Sequence, residues 1–155
     1  MDELVLALKE DAKSQADQLG KLISNYSKLK CLEIKGDKFK VKDKTWEAII
    51  DAFPSLLKLR EMKLSLRGED VPDVARLFEK HLTKLRPIDK LHLKITDCKQ
   101  LEVYYVYTLC NCFELSGLWL TVTRCNLSQS PITGLLMGLR TTTRISKYFA
   151  NKTMY

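Results

Sequence analysis

A short hydrophobic pattern recurs along this chain at a nearly constant interval. It consists of an apolar residue, any two residues, a second apolar residue, any one residue and a third apolar residue. The pattern occurs five times, beginning at Met1, Leu29, Leu59, Ile88 and Leu115, so successive starts are 28, 30, 29 and 27 residues apart. A repeat of this length is one supersecondary unit that cannot bury its apolar face alone. Neighbouring units must therefore stack on one another.

Each occurrence lies where apolar and polar residues alternate, which is the pattern of a strand with one buried face. The alternation predicts strands over 4–8, 32–35, 62–66, 91–95 and 118–122. Between them, apolar residues recur at the three- and four-residue spacing of a helix. The five predicted helical stripes are Ala16, Leu19, Leu22 and Ile23; Trp46, Ile49, Ile50 and Phe53; Val71, Val74, Leu77, Phe78 and Leu82; Val103, Val106, Tyr107, Cys110 and Phe113; and Ile132, Leu135, Leu136 and Leu139.

The alternation of strand and helix predicts an α/β fold. We expect a curved parallel sheet of about five strands on the inside and helices on the outside, because helices are wider than the spacing between strands. The repeat array occupies residues 1–142, and residues 143–155 contain a degenerate last strand and a polar tail. The chain starts almost directly in a strand, without a polar cap. We therefore expect a fragment, or a first repeat that packs on another domain or a second copy.

These units resemble leucine-rich repeats. The family motif continues after its last leucine with two residues of any kind, Asn or Cys, one residue and Leu, and the best match is Leu120–Leu127, with Cys125 at the Asn/Cys position. Cys98 is a partial match, whereas Asp37 and Glu69 replace the family residue in the second and third repeats. The spacing of 27 to 30 residues is similar to the ribonuclease-inhibitor-like subclass.

The resemblance implies a leucine-rich-repeat solenoid that binds another protein on its concave sheet. In this family, such repeats are common in cytoplasmic nucleotide-binding receptors, where they act as sensor or regulatory segments. We therefore expect a cytoplasmic receptor segment, with further repeats or domains in a longer parent chain. The alternative is a substrate-recruiting subunit of a ubiquitin ligase. No phosphate-binding G-x-x-x-x-G-K-S/T motif occurs in the sequence.

Alternation also predicts which strand residues face the concave surface. Offsets of 29 and 27 residues predict two rows, whereas Lys35 has no assigned row. One row contains Lys63, His92 and Trp119, and the next contains Ser65, Lys94 and Thr121. Basic residues outnumber acids seven to two at the predicted inward positions. Two interpretations stay open, a merely solvated strand face or a site for an acidic, partly apolar partner. The candidate partner-binding residues are Lys35, Lys63, Ser65, Arg67, Lys90, His92, Lys94, Trp119 and Thr121.

Composition limits the other classes of function. The net charge of +7 permits a basic nucleic-acid-binding solenoid as a second alternative, but the sequence has no Arg-rich helix or aromatic RNA-binding motif. The spacing of Cys98, Cys110, Cys112 and Cys125 lacks a zinc knuckle, and buried thiols explain these residues better. We expect no catalytic residues, metal or cofactor, because no catalytic motif occurs. We also expect no membrane partner, since no apolar run is long enough to span a bilayer.

Overall fold

Strand and helix alternate along the chain as far as residue 123, and a further strand is described at 145–151. The computed structural model describes residues 2–8, 15–85, 87–99, 102–124 and 145–151. The strands are β1 (Glu3–Ala7), β2 (Cys31–Gly36), β3 (Glu61–Arg67), β4 (Lys90–Thr96), β5 (Gly117–Thr123) and β6 (Ile145–Asn151). The helices are α1 (Gln15–Ser24), α2 (Asp43–Ala52), α3 (Val71–Lys80) and α4 (Val103–Asn111). Short 3-10 turns occur at Phe53–Ser55, Gly68–Asp70 and Leu82–Lys84.

The strands form one open parallel sheet in the order of the sequence, β1-β2-β3-β4-β5-β6. Glu3 pairs with Cys31, Cys31 with Glu61, Glu61 with Lys90, and Lys90 with Gly117. The pairing therefore follows the interval of the hydrophobic pattern. These observations confirm the predicted α/β class and parallel sheet, with strand ends within two residues of the predicted ends.

The same backbone arrangement recurs at the start of strands β2 to β5. A carbonyl oxygen just before one strand accepts hydrogen bonds from two successive N–H groups of the next repeat, at 2.7 to 3.1 Å. Because the acceptor takes part in both bonds, each repeat fixes the height at which its neighbour begins. The four acceptors are the carbonyl oxygens of Asp2, Lys30, Arg60 and Asp89.

The hydrophobic core lies between one face of the sheet and the helices. Strand residues such as Leu64 and Leu93 are buried together with Ile49, Ile50 and Val74 from the helices. Aromatic rings connect the repeats within this layer, since Phe78 makes edge-on contacts with Phe53 at 6.2 Å and Phe113 at 5.9 Å between ring centroids. No described helix is both long and apolar enough to cross a membrane.

The prediction of a buried position is wrong for two residues of the helical stripes. Leu22 is 42% exposed and Leu82 is 47% exposed. Leu22 lies at the edge of the stripe of α1, beside the fully buried Ile23. Leu82 follows the end of α3 at Lys80, so the helical spacing from Phe78 no longer places it on the buried face.

Several other predictions fall outside the described residues. These are the helical stripe at 132–139, the position of Cys125, the apolar residue Leu101 and the boundary between 142 and 143. The strand β6 pairs with β5 in parallel, with a shift in register between Leu118 and Trp119.

The turns that follow β4 and β5 are joined to each other. Asp97 and Arg124 each come directly after a strand and have positive φ angles, 54° and 53°. The guanidinium of Arg124 donates two hydrogen bonds to the Asp97 carboxylate, Nε to Oδ1 at 2.6 Å and Nη2 to Oδ2 at 2.7 Å. The Asp97 backbone N–H also donates to the Thr123 carbonyl at 3.1 Å. This two-point contact stabilises equivalent turns in adjacent repeats.

The turn after β3 depends on a close approach to the next repeat. A Cβ atom added to Gly68 would lie 2.2 Å from the Cβ and 2.7 Å from the Cα of Cys98. Cys98 is itself buried and cannot move aside easily. Glycine is needed here for space, since its φ angle is not positive.

We expect Gly68→Ala to destabilise the fold by about 1–3 kcal/mol, because the added methyl group overpacks the contact between two repeats. Urea unfolding followed by circular dichroism measures this loss. Gly36→Ala is the matched control. A Cβ atom added there would lie 3.2 Å from its nearest neighbour, Trp46 Cζ2, so the expected loss of stability is smaller. Equal unfolding free energies for Gly68→Ala and the wild type would contradict the contact.

Asp70 is a buried acid at the start of α3. Its side chain is almost fully buried, and Oδ2 has no hydrogen-bond partner among the described residues. Burial, helped by the nearby negative charge of Glu69, raises the pKa of the Asp70 carboxyl from 3.8 to about 6. The positive charges of Arg67 and Lys40 offset part of this effect.

The raised pKa of Asp70 predicts a pH-dependent stability. The folded chain binds the Asp70 proton more tightly than the unfolded chain, so this contribution is complete below about pH 4 and is lost as the pH rises through about 6. Relative to Asp70→Asn, the wild type should lose up to about 3 kcal/mol of unfolding free energy across this range. Chemical denaturation of the wild type and of Asp70→Asn, from acidic to neutral pH, measures this loss. Parallel pH profiles would contradict the assignment.

Candidate binding surface: the open face of the sheet

The face of the sheet opposite the helices is called the open face here. Its side chains alternate with the buried strand residues and are mostly half-buried or exposed. Thr96 is an exception. The alternation along β4 assigns it to this face, but it is only 4% exposed, and its Oγ1 has no partner among the described residues. The open-face residues on β1 to β5 are Glu3, Val5, Ala7, Cys31, Glu33, Lys35, Glu61, Lys63, Ser65, Arg67, Lys90, His92, Lys94, Trp119, Thr121 and Thr123.

The register places the predicted site residues in rows across the open face. Lys63, His92 and Trp119 pair in succession, as their offsets predict. A second row runs through Lys35, Ser65, Lys94 and Thr121, so the structure assigns Lys35 the row that the sequence left undecided. Lys90 pairs with Glu61 one row nearer the strand starts, and Arg67 pairs with Thr96 one row nearer the strand ends.

His92 and Trp119 form the main ring contact of this surface. Their ring planes are 4° from parallel, and the centroids are 4.3 Å apart. His92 Nε2 lies 2.9 Å from Oε1 of Glu61. The carboxylate therefore orients the imidazole, and the imidazole covers one face of the indole. Trp119 remains partly exposed.

Most basic residues of the open face have a carboxylate close by. Their N–O distances are 3.4 Å for Lys35–Glu33, 2.8 Å for Lys63–Glu3, 2.5 Å for Arg67–Glu69 and 3.8 Å for Lys94–Asp37. Lys90 is exposed and forms no salt bridge with a carboxylate in the described ranges. Lys90 and the weakly paired Lys94 are thus the lysines of this face best placed to contact a partner.

Three of these acids are missing from the sequence-based site. Glu3 precedes the first predicted strand, whereas Asp37 and Glu69 follow strand ends, so strand alternation did not include them. The structure therefore places five carboxylates among six basic side chains, and the strong cationic excess predicted from the strands is reduced. Continuing the alternation one residue pair beyond each strand would have found Glu3 and Asp37. The basic residues are Lys35, Lys63, Arg67, Lys90, His92 and Lys94; the acids are Glu3, Glu33, Asp37, Glu61 and Glu69.

Glu3 on β1 and Lys63 on β3 stabilise each other's charged form. The hydrogen bond from Lys63 lowers the pKa of the Glu3 carboxyl and raises that of the Lys63 ammonium group. Burial raises the pKa of the neighbouring Cys31 thiol to about 11, against the opposing effect of Lys63. At neutral pH the Glu3–Lys63 pair is charged and the Cys31 thiol is protonated.

The other described cysteines lie in the core or pack against it. Cys98 and Cys110 are buried and Cys112 is half-buried, in agreement with their predicted place in the core. Burial raises the pKa of both Cys110 and Cys112 to about 12, which disfavours a nucleophilic thiolate. Within the described ranges, no group of three or more His, Cys, Asp or Glu side chains is placed to hold a metal ion.

A cleft of about 460 Å³ lies outside the open face, where β3 and β4 meet the helices. Its lining includes Gly68, Glu69, Asp97 and Lys99. Glu69 already pairs with Arg67, and Asp97 already pairs with Arg124. The paired charged groups of this cleft therefore mainly stabilise the turns in which they lie.

Comparison with known families and curated proteins assigns no family to this chain. No protein-family model matches the chain, and no curated protein matches it either. The geometry of the open face must therefore carry the functional argument.

We expect His92 and Trp119 to be energetically coupled by about 0.5–1.5 kcal/mol, the usual range for a pair of stacked rings. A double-mutant cycle with His92→Ala and Trp119→Ala, measured by chemical denaturation, gives the coupling energy. In the control cycle, Val5→Ala takes the place of His92→Ala. Val5 is exposed and lies in the same row as Trp119, but four strands away from it. Additive effects in the first cycle would contradict the stack.

Proposed function

We propose that this chain is a leucine-rich-repeat module of the ribonuclease-inhibitor-like subclass, and that it binds another protein on its open face. The observation that carries the proposal is the arrangement of half-exposed side chains on one face of a parallel sheet whose other face is covered by helices. The near-constant pairing interval supports a solenoid, since every repeat contacts its neighbours in the same way.

The part of the open face on β4 and β5 is best suited to contact a partner. Trp119 offers a large, partly apolar ring that His92 holds in a fixed orientation. Rigid aromatic residues dominate many protein interfaces because they bury a large area at a small entropic cost. Lys90 and Lys94 lie on either side of His92 along β4 and can pair with acidic side chains. The proposed partner therefore presents an apolar group flanked by acids.

The acids on β1 to β3 limit this preference for an acidic partner. Glu3, Glu33 and Glu61 lie close to Lys63, Lys35 and His92, so these basic groups already have intramolecular partners. Replacing such a partner requires desolvation of both charges. We propose that Lys35, Lys63, Ser65, Arg67 and Thr121 form the surrounding contact area, while Lys90, His92, Lys94 and Trp119 form its centre.

The proposed biological context is a sensor or regulatory segment of a cytoplasmic receptor. This context rests on the resemblance of the repeats to those of nucleotide-binding leucine-rich-repeat receptors. A ubiquitin-ligase subunit uses the same kind of surface, and recovery of ligase components with the chain would favour that alternative. Neither context requires catalytic side chains, and the high thiol pKa values accord with a binding role.

The combined variant Trp119→Ala, Lys63→Ala and Lys94→Ala should lose partner capture by at least about 30-fold, since residues at interface centres contribute about 2 kcal/mol or more. The measurement is affinity capture from cell extract with quantitative mass spectrometry, followed by binding of the purified partner. Circular dichroism should show a folded variant, because the three side chains lie on the open face.

Tyr104→Ala is the matched control for loss of an exposed aromatic ring. Tyr104 lies on α4, is 66% exposed and faces away from the sheet surface proposed to bind. Its loss should leave capture unchanged. If the open-face variant retains every protein that the wild type and Tyr104→Ala retain, the open face is not the binding surface.

A further inference from the structure

A basic segment connects β2 to α2 outside the open face. Lysine occupies every second position from 38 to 44, and Lys38, Lys40, Lys42 and Lys44 are all exposed. Phe39 lies between the first two lysines and is 40% exposed. We define residues 38–44, which include the first two residues of α2, as the basic loop.

The fold holds the basic loop in a defined position. Val41 is buried in the core, while Lys40 and Lys42 on either side of it remain exposed. The backbone at Lys42 is extended, and α2 then begins at Asp43 without a side-chain hydrogen bond from its N-cap residue. The core contact of Val41 therefore directs alternating lysines toward solvent.

The acids near the basic loop balance only part of its charge. Lys40 interacts electrostatically with the buried carboxyl of Asp70 at the start of α3. Asp37 lies 3.8 Å from Lys94 on the open face, and Asp43 is in the first turn of α2, where a negative charge favours the helix. In the described part of the chain, Lys38, Lys40 and Lys44 form no salt bridge. The equivalent turn after β3 differs, because Arg67 there pairs with Glu69.

We infer that the basic loop is a binding site for single-stranded nucleic acid. Lysine ammonium groups are point charges that contact backbone phosphates without reading a base sequence. Lys38, Lys40 and Lys44 lie close together in sequence and are exposed, so their flexible side chains can contact neighbouring phosphates of a flexible strand. Phe39 supplies a ring face on which an unpaired base stacks.

The composition of the loop favours a single strand over other anionic partners. A membrane-binding loop usually inserts several apolar side chains, whereas this loop exposes one ring. A duplex keeps its bases stacked on one another, so Phe39 would have no base to contact. An acidic peptide would pair with the lysines but gains little specifically from the ring.

The test is fluorescence anisotropy of a labelled oligothymidylate with the full chain at several salt concentrations. Three phosphate contacts contribute about −2 to the slope of log Kobs against log salt concentration for a single strand. The variant Lys38→Gln, Lys40→Gln and Lys44→Gln should lose this part of the slope. Each single variant should lose about 0.7, which keeps the test valid if the triple variant is unstable.

Phe39→Leu separates stacking from charge. Leucine keeps the apolar contacts of the partly buried side chain but has no aromatic face, so affinity should fall about 5-fold to 100-fold with an unchanged salt slope. Trp119→Ala should bind the oligonucleotide like the wild type, because the open face is a different surface.

The charge-matched control is Lys28→Gln, Lys58→Gln and Lys80→Gln, three exposed lysines elsewhere on the chain. This control should keep the wild-type slope. Equal losses in the two triple variants would overturn the inference, because binding would then depend only on net charge. Tighter binding to polyglutamate or to phosphatidylserine vesicles than to the oligonucleotide would also overturn it, and so would an unchanged slope in the loop variant.

Discussion

The stability of this chain depends on mutual burial between adjacent repeats. A single strand with its helix exposes the apolar residues that face the next unit, so each repeat is stable only when a neighbour covers it. The chain of edge-on contacts from Phe53 through Phe78 to Phe113 shows this dependence, because one ring serves three successive units. The shared carbonyl acceptors before the strands fix the same relationship in the backbone. As a result, the register of the whole sheet follows from a spacing that varies only between 27 and 30 residues.

The fixed register turns separate residues into a surface. Lys63, His92 and Trp119 are far apart in sequence but lie in one row, and Glu61 reaches His92 from the adjacent strand. The carboxylate orients the imidazole, and the imidazole in turn orients the indole. Much of the basic charge of this face is balanced within the molecule, which leaves β4 and β5 as its most available part. This distribution shifts the proposed recognition from net charge toward one supported aromatic ring.

The connections between strands and helices carry different chemistry because the core does not determine their surface residues. The turn after β3 contains the ion pair between Arg67 and Glu69. The close contact between Gly68 and Cys98 and the ion pair between Asp97 and Arg124 join neighbouring repeats. After β2 the turn is anchored by Val41 and presents lysines instead. One scaffold can therefore support a protein-binding face and a separate basic, anion-binding site at its edge. The two proposals rest on different residues and can succeed or fail independently.

The sequence by itself determined the strands, the parallel order and the rows across β3, β4 and β5, since a two-residue alternation and a nearly constant repeat interval leave little freedom in register. It failed where the regular pattern ends. Leu82 follows the end of a helix. Glu3, Asp37 and Glu69 lie outside the predicted strands, so the alternation within those strands did not include them. Only the tertiary structure showed which acids lie beside the basic residues, that His92 stacks on Trp119, and that the buried Asp70 has no partner for Oδ2 among the described residues. These features depend on distances between repeats and on side-chain conformation, whereas a linear pattern records only which residues share a face.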